Sequence, residues 1–223
     1  PLAGEEPINP FQYHRRTTHE VLNFGGQNVP RVIAEVSRMP QLNYADLRAA
    51  GHLYSPFLDK FQMSDLGADY IYTGERPVPF MLPNGLKEIV TFSAWVDAGR
   101  LLHHYPLLTA DSYMDDKPRH PQLNFLMLSL DALDARLLRR LQTDTEVVMV
   151  LVTENAHAMP ELRRAFFQLI THGITCPVVI GRAYPDQALG QTQLDAATDA
   201  GGLLIDGLGD GIVVGRRRFT HDR

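Results

Sequence analysis

The sequence predicts an α/β fold, a TIM-like (β/α) barrel that is irregular in its first half. Three observations lead there. Short apolar runs alternate with amphipathic stretches from residue 122 onward, one of those runs is apolar at every position, and the chain offers eight strand candidates. The fully apolar run is Val147-Val148-Met149-Val150-Leu151-Val152. A strand without a polar face has to be covered on both sides, which means a parallel sheet flanked by helices. Eight parallel strands are the number that closes such a sheet into a barrel. An open doubly wound sheet is the alternative, and residues 74–121, with six prolines and no strong helix, are where the count is weakest.

In the first half, residues 32–36, 69–72 and 88–92 read as strands, and a helix is expected over 44–50, ended by Gly51. The second half is more regular. Residues 123–128 form a strand candidate, and Asp131 is expected to cap a helix that places Leu133, Leu137, Leu138 and Leu141 on one face. After the run at 147–152, a helix starting near Pro160 turns Leu162, Phe166, Leu169 and Ile170 inward and ends at Gly173. Residues 177–180 give a strand, 186–199 a helix, 203–205 another strand and 212–214 a short last one. The chain shows no low-complexity tract and no repeat of 20 to 50 residues.

Composition bounds the function classes. The 223 residues carry 21 basic and 26 acidic side chains, a net charge of −5, which argues against general affinity for nucleic acid. Arginine outnumbers lysine 18 to 3, a bias that could be read as phosphate recognition but is more plainly a codon preference of the genome. A single cysteine, Cys176, excludes a disulfide scaffold and cannot by itself hold a zinc ion or an iron–sulfur cluster. No apolar run has membrane-spanning length and the first residues lack a signal-peptide pattern, so the expected location is the cytoplasm, without membrane or nucleic-acid partners. The start at Pro1 and the polar ends suggest a segment of something longer. Residues 1–28 are expected to be an interdomain linker, 29–215 an inserted barrel-like domain, and 216–223 the start of a second linker.

Candidate chemistry comes from the loops beyond the strand carboxyl ends, where barrels and open sheets bind ligands. Those positions are expected to hold Glu154 and Asn155, Arg182, and Asp206. Arg182 could grip a phosphorylated ligand and Glu154 carry a proton; a solvated polar rim is the plainer alternative. The run Asp206-Gly207-Leu208-Gly209-Asp210-Gly211 lacks both the P-loop and the dinucleotide fingerprint and reads as a turn between two strands. Arg15, Arg16, Gly25 and Gly26 could contact phosphate or order a linker. His103-His104 with Asp111, Asp115, Asp116 and His120 matches no metal-ligand spacing, and the adjacent histidines are expected on opposite faces. Arg139-Arg140 and Arg216-Arg217-Arg218 are basic enough to dock an acidic redox protein, or are ordinary solvated faces. Cys176 reads as a small buried hydrophobe.

Two segments carry a family resemblance. Arg15-Arg16-Thr17-Thr18 through Asn23-Phe24-Gly25-Gly26-Gln27-Asn28-Val29-Pro30-Arg31-Val32-Ile33-Ala34, taken with Leu203-Leu204-Ile205-Asp206-Gly207-Leu208-Gly209-Asp210-Gly211-Ile212, resembles the three-domain form of 4-hydroxy-3-methylbut-2-enyl diphosphate synthase. This is the GcpE-type oxidoreductase of the methylerythritol phosphate route to isoprenoids. The resemblance implies that the chain is the domain inserted between a catalytic barrel and a domain whose [4Fe–4S] cluster is held by three cysteines and a glutamate. It implies a parent reaction, the reductive opening of 2-C-methyl-D-erythritol 2,4-cyclodiphosphate, fed by a ferredoxin or flavodoxin type reductant. No cofactor and no metal is expected on this segment, no catalytic residue is matched in it, and its partners are the flanking domains of the same polypeptide. Its expected role is a spacer. An independent barrel enzyme, or a regulatory domain that binds a phosphorylated small molecule at the rim, is the competing reading.

Overall fold

The computed structural model describes residues 7–9, 11–185 and 187–215. Its strands are β1 (Arg31–Glu35), β2 (His52–Ser55), β3 (Lys60–Met63), β4 (Tyr70–Gly74), β5 (Lys87–Thr91), β6 (His104–Leu108), β7 (Asn124–Ser129), β8 (Val147–Val152), β9 (Val178–Ala183) and β10 (Gly211–Gly215). Eight of them, β1 and β4 to β10, pair in parallel and close a barrel in the order β1-β10-β9-β8-β7-β6-β5-β4, with β4 returning to β1. The remaining two, β2 and β3, form an antiparallel hairpin outside the barrel. The helices are α1 (Phe92–Asp97), α2 (Ala110–Met114), α3 (Ala135–Leu141), α4 (Ala158–Thr171), α5 (Leu189–Ala196) and α6 (Gly202–Ile205).

The fully apolar β8 explains the two-layered core. Val148 and Val150 point into the barrel with Phe125 and Val179, while Val147, Met149 and Leu151 point outward against Leu162, Phe166 and Leu169 of α4. Alternation sends successive side chains to opposite faces, so a strand buried on both has no position left for a polar residue. Asp134 caps α3 by accepting from the amides of Arg136 and Leu137 at 2.9 and 2.8 Å, so the cap falls three residues after the Asp131 expected.

The count of eight strands holds, but its membership does not. Residues 203–205 are helical: α5 continues through a π-helical turn at Ala197–Gly201 into α6, burying Leu203 and exposing Ile205. A three-residue apolar run is too short for periodicity to separate strand from helix. The missing strand is β6, in the stretch where the count was weakest. Pro106 lies inside it, and the ladder to β7 begins only at Leu107. That arrangement tolerates a residue without an amide donor. The hairpin β2–β3 was not expected, and the helix expected over 44–50 is a shorter 3₁₀ turn, Asp46–Ala50.

Residues 15–28 lie against the amino-terminal end of the barrel, where Val21 and Phe24 exchange backbone hydrogen bonds of 3.0 and 2.9 Å in a tight turn. Phe24, fully buried, fills the barrel floor, its ring centroid 5.2 Å from that of Tyr70 and 5.6 Å from that of Phe125. Gly25 follows at φ 71°, and a Cβ there would lie 2.2 Å from the carbonyl oxygen of His19, so only glycine fits. In a stretch that is polar overall, Val21 and Phe24 are the buried apolar members, and nothing local in the sequence marks them as core. Replacing Phe24 with Ala should lower stability by about 3–5 kcal/mol, measured by urea unfolding. A loss below about 1 kcal/mol would show that the floor is not part of the core.

Candidate functional site

The candidate residues separate onto opposite ends of the barrel. At the amino-terminal end, Asp210 stands just before β10 with 2% of its surface exposed. Its Oδ1 accepts from Arg15 Nη2 at 3.0 Å and Thr18 Oγ1 at 3.3 Å, and its Oδ2 accepts from the amide of Val178 at 2.9 Å. Arg16 is buried beside it and donates to the carbonyl oxygens of Cys176 and Ile174 at 3.0 and 2.6 Å. Burial pulls the Arg16 guanidinium below its usual value, and the Asp210 carboxylate pulls it back up. Arg15 also donates to the carbonyl of Asn28, and Gly26 donates its amide to Thr18. Arg15, Arg16, Gly25 and Gly26, considered as phosphate contacts, are thus engaged in tying the amino-terminal arm to the barrel. Both guanidinium groups already have protein acceptors.

Asp206 belongs to this end as well, which corrects its expected place on the ligand rim. The segment before it is helix, so the residue caps α6 and precedes β10, where it pairs with Arg163 of α4. The run 206–211 correspondingly joins a helix to a strand. Gly207 sits there at φ 75° with the backbone of His14 close against it.

The carboxyl-terminal rim does hold the other three candidates. Beyond β7, β8 and β9 lies a cleft of about 460 Å³ lined by Asp131, Thr153, Glu154, Asn155, Glu161 and Arg182, among others. Its polar groups are largely satisfied by one another. Thr153 donates its hydroxyl to Glu161, Asn155 donates its amide to Thr153 Oγ1 at 3.1 Å, and Asn155 Oδ1 accepts from the amide of His157 at 2.9 Å. Arg182 is 7% exposed; its Nε donates to Asp199 at 2.9 Å, its Nη1 to the Thr153 carbonyl at 2.6 Å, and its plane lies 5.3 Å from the Tyr184 ring. Tyr184 donates its hydroxyl to the same Asp199 oxygen at 2.9 Å, and burial pushes its phenol up to about 12. Asp199 and Glu161, which no sequence motif marks, are the residues that fix this rim. They sit in helices packed over it, and helical spacing alone does not show which strand end a side chain reaches.

The opposite arc of the mouth is acidic too. Glu35 accepts from the amide of Ser37 at 3.0 Å, and Glu75 accepts from Ser93 Oγ at 3.1 Å. Tyr72 is pushed up to about 12 by burial first and then by Glu35 and Glu75. The cleft lining carries Asp131, Glu154 and Glu161 with one guanidinium, that of Arg182, which is committed to Asp199 and the Thr153 carbonyl.

The remaining candidates are structural. His104 lies 3.3 Å from the buried Glu88, which also accepts from Thr73 Oγ1 and the amide of Val78 at 2.6 and 2.8 Å. His103 precedes β6, so strand alternation does not separate the two rings, whose centroids are 4.2 Å apart. Among the described residues no group of three His, Cys, Asp or Glu is arranged to hold a metal ion. Cys176 is buried, donates to the Leu141 carbonyl at 3.2 Å, and is pushed up to about 12 by burial, which makes it a poor nucleophile or ligand. Arg140 pairs with Asp116 and stacks 4.7 Å from the Tyr113 ring; Arg216, Arg217 and Arg218 lie outside the described residues. Among the described residues no helix is long and apolar enough to cross a membrane.

No family model matches the chain, and no solved structure matches it. Among curated proteins, it is 29% identical over 213 residues to the 4-hydroxy-3-methylbut-2-en-1-yl diphosphate synthase (flavodoxin) of Phocaeicola vulgatus, covering 95% of this chain and 31% of that protein. It is 31% identical over 146 residues to the enzyme of that name from Parabacteroides distasonis, covering 66% of this chain and 23% of the relative. The Bacteroides thetaiotaomicron enzyme of that name is 29% identical over 203 residues, 89% of this chain and 28% of its own length. The chain is a relative of part of these synthases. It spans about a third of the length of the first of them.

Two predictions follow from the amino-terminal clasp. Asp210→Ala strands Arg15 and Arg16 and should cost about 3–5 kcal/mol in urea unfolding, whereas exposed Asp131→Ala should change stability by less than about 0.5 kcal/mol. The second concerns pH. Burial lowers the pKa of both His19 and His120, so each is more easily protonated in the unfolded chain. Above about pH 6.5 both states are neutral and the groups contribute nothing; as pH falls below that value the unfolded state gains protons first and stability drops. A melting temperature that is flat from pH 8 to 7 and falls toward pH 5.5, with a smaller fall in His19→Asn, is the expected profile.

Proposed function

We propose that this chain is the middle domain of a cytoplasmic 4-hydroxy-3-methylbut-2-enyl diphosphate synthase, a TIM-type barrel that serves as a non-catalytic spacer between the catalytic barrel and the cluster domain. The observation that carries this reading is the pattern of similarity, which runs over 95% of the chain but only 31% of the Phocaeicola relative. The whole protein would form 4-hydroxy-3-methylbut-2-enyl diphosphate with a flavodoxin-type reductant, the product and partner that the relatives' names give, through the reductive opening of the cyclodiphosphate that the family resemblance implies.

The residues present do not fit an iron–sulfur cluster. Such a cluster needs several thiolates, and the sequence has one cysteine, which is buried, hydrogen-bonded to backbone and held as the thiol. No step of the reaction is therefore assigned to this domain. Its contribution is geometric: two half-sites held by a rigid body meet at a higher effective concentration than they would on a flexible tether. The clasp at Asp210 supports that role, because it makes the amino-terminal arm part of the rigid barrel.

The test is made in the full-length polypeptide. Glu154→Gln, at the rim cleft, should leave kcat and KM within about twofold of the parent. A fall of about a hundredfold would place chemistry at this rim and replace the spacer with a catalytic or regulatory barrel. Calorimetric titration with the cyclodiphosphate reads the same alternative directly, and binding abolished by a rim substitution would establish it.

A further inference from the structure

Among the described residues, one side of the barrel lacks the cover that the rest has. Between β1 and β5 the connections supply one 3₁₀ turn, the hairpin β2–β3 and a proline-rich loop, whereas α3, α4 and the α5–α6 helix cover β7 to β10. The apolar cluster on that side, around Leu47, Ile71 and Leu86, has more half-buried members than buried ones; in the main cluster the buried members dominate. Rings join the pieces of this face. Tyr44 stacks on Tyr54 at 4.8 Å and contacts Phe61 at 5.7 Å and Phe80 at 4.4 Å, which ties the 3₁₀ region, the hairpin and the proline-rich loop together.

On this assembly large apolar side chains stand in solvent. Phe57 at the hairpin tip is 95% exposed, Leu66 just after the hairpin 93%, Met81 beside Phe80 87% and Met63 64%. Isolated exposed apolar residues are ordinary, and Leu189, Leu194 and Ile205 on the helical side are exposed as well, but four on the sparse connections between β1 and β5 mark a candidate interaction surface. The carboxyl-terminal mouth, by contrast, is lined with carboxylates and is a poor apolar dock.

We propose that this hairpin face, centred on Phe57, Leu66, Met63 and Met81, is where the barrel docks against another domain of its own polypeptide. The inference rests on the reading of the chain as one segment of a longer synthase. The argument for that occupant over others is length: the matched relative has more than twice as much chain outside this segment as within it. A spacer can hold that remainder in fixed geometry only through a buried contact. Among the described residues β2 and β3 form a sheet of two strands, so each has an outer edge that a docked segment could extend.

The experiment uses the full-length polypeptide and dilute peroxide. Methionine oxidation follows exposure, so Met63 and Met81 should oxidise at least about fivefold more slowly in the native protein than in the urea-unfolded protein. In the variant Phe57→Ser/Leu66→Ser the protection should be lost and kcat should fall, while the barrel's melting transition stays in place because both side chains lie outside its core. Native oxidation of Met63 and Met81 at the unfolded rate overturns the proposal. Protection that appears only as the protein self-associates in light scattering also overturns it, since the occupant is then a second copy. Full-length protein that protects both methionines but lacks synthase activity leaves the docking surface standing and overturns the functional reading instead.

Discussion

The architecture depends on a buried carboxylate. Asp210 has almost no exposed surface, so its charge needs fixed partners, and it finds them in Arg15, Arg16, Thr18 and the amide of Val178. Those partners come from the amino-terminal arm and from β9. The backbone of Asp210 adds two more ties, donating to Val178 and accepting from Arg31 at the start of β1. One residue therefore sets the register of β9, β10 and β1 and locks the arm across the seam where the first and last strands meet.

With the arm fixed, Phe24 is delivered to the barrel floor and the interior can be dry. Tyr70, Phe125, Val148, Val150 and Val179 pack above it, and Tyr70 turns its hydroxyl to Asn23 at the entrance. A lumen filled by side chains is a packed core and leaves the ends of the barrel as the places for function. The amino-terminal end is consumed by the clasp. The carboxyl-terminal end keeps a cleft whose polar groups largely bond to one another and to neighbouring helices.

The sequence and the structure agree best where burial is two-sided. Residues 147–152 admit only one reading because no polar position breaks the run, and the strands and helices on either side follow from the same logic. They part where local signals conflict with tertiary ones. Pro106 argues against a strand, yet β6 pairs with β5 from His104 through Leu107, and only its ladder to β7 starts after the proline. Leu203-Leu204-Ile205 looks like a strand, yet it is the end of a helix extended through a π turn. Of the candidate site, Glu154, Asn155 and Arg182 meet at one cleft as their positions after β8 and β9 require, while Asp206 falls on the opposite end once its neighbours become helical.

What the sequence determined by itself was the class of fold, the single cysteine where a cluster needs several, and the family resemblance carried by two short segments. Those properties reside in composition, in two-residue and 3.6-residue periodicity, and in contiguous motifs, all of which are local. Only the tertiary structure decided which end of the barrel each polar residue serves, that Arg16 and Asp210 are buried partners 194 positions apart, and that a polar-looking arm contributes the floor of the core. The reason is that closing a barrel joins the first strand to the last. The contacts that close it pair residues from opposite ends of the chain, and no local pattern records them.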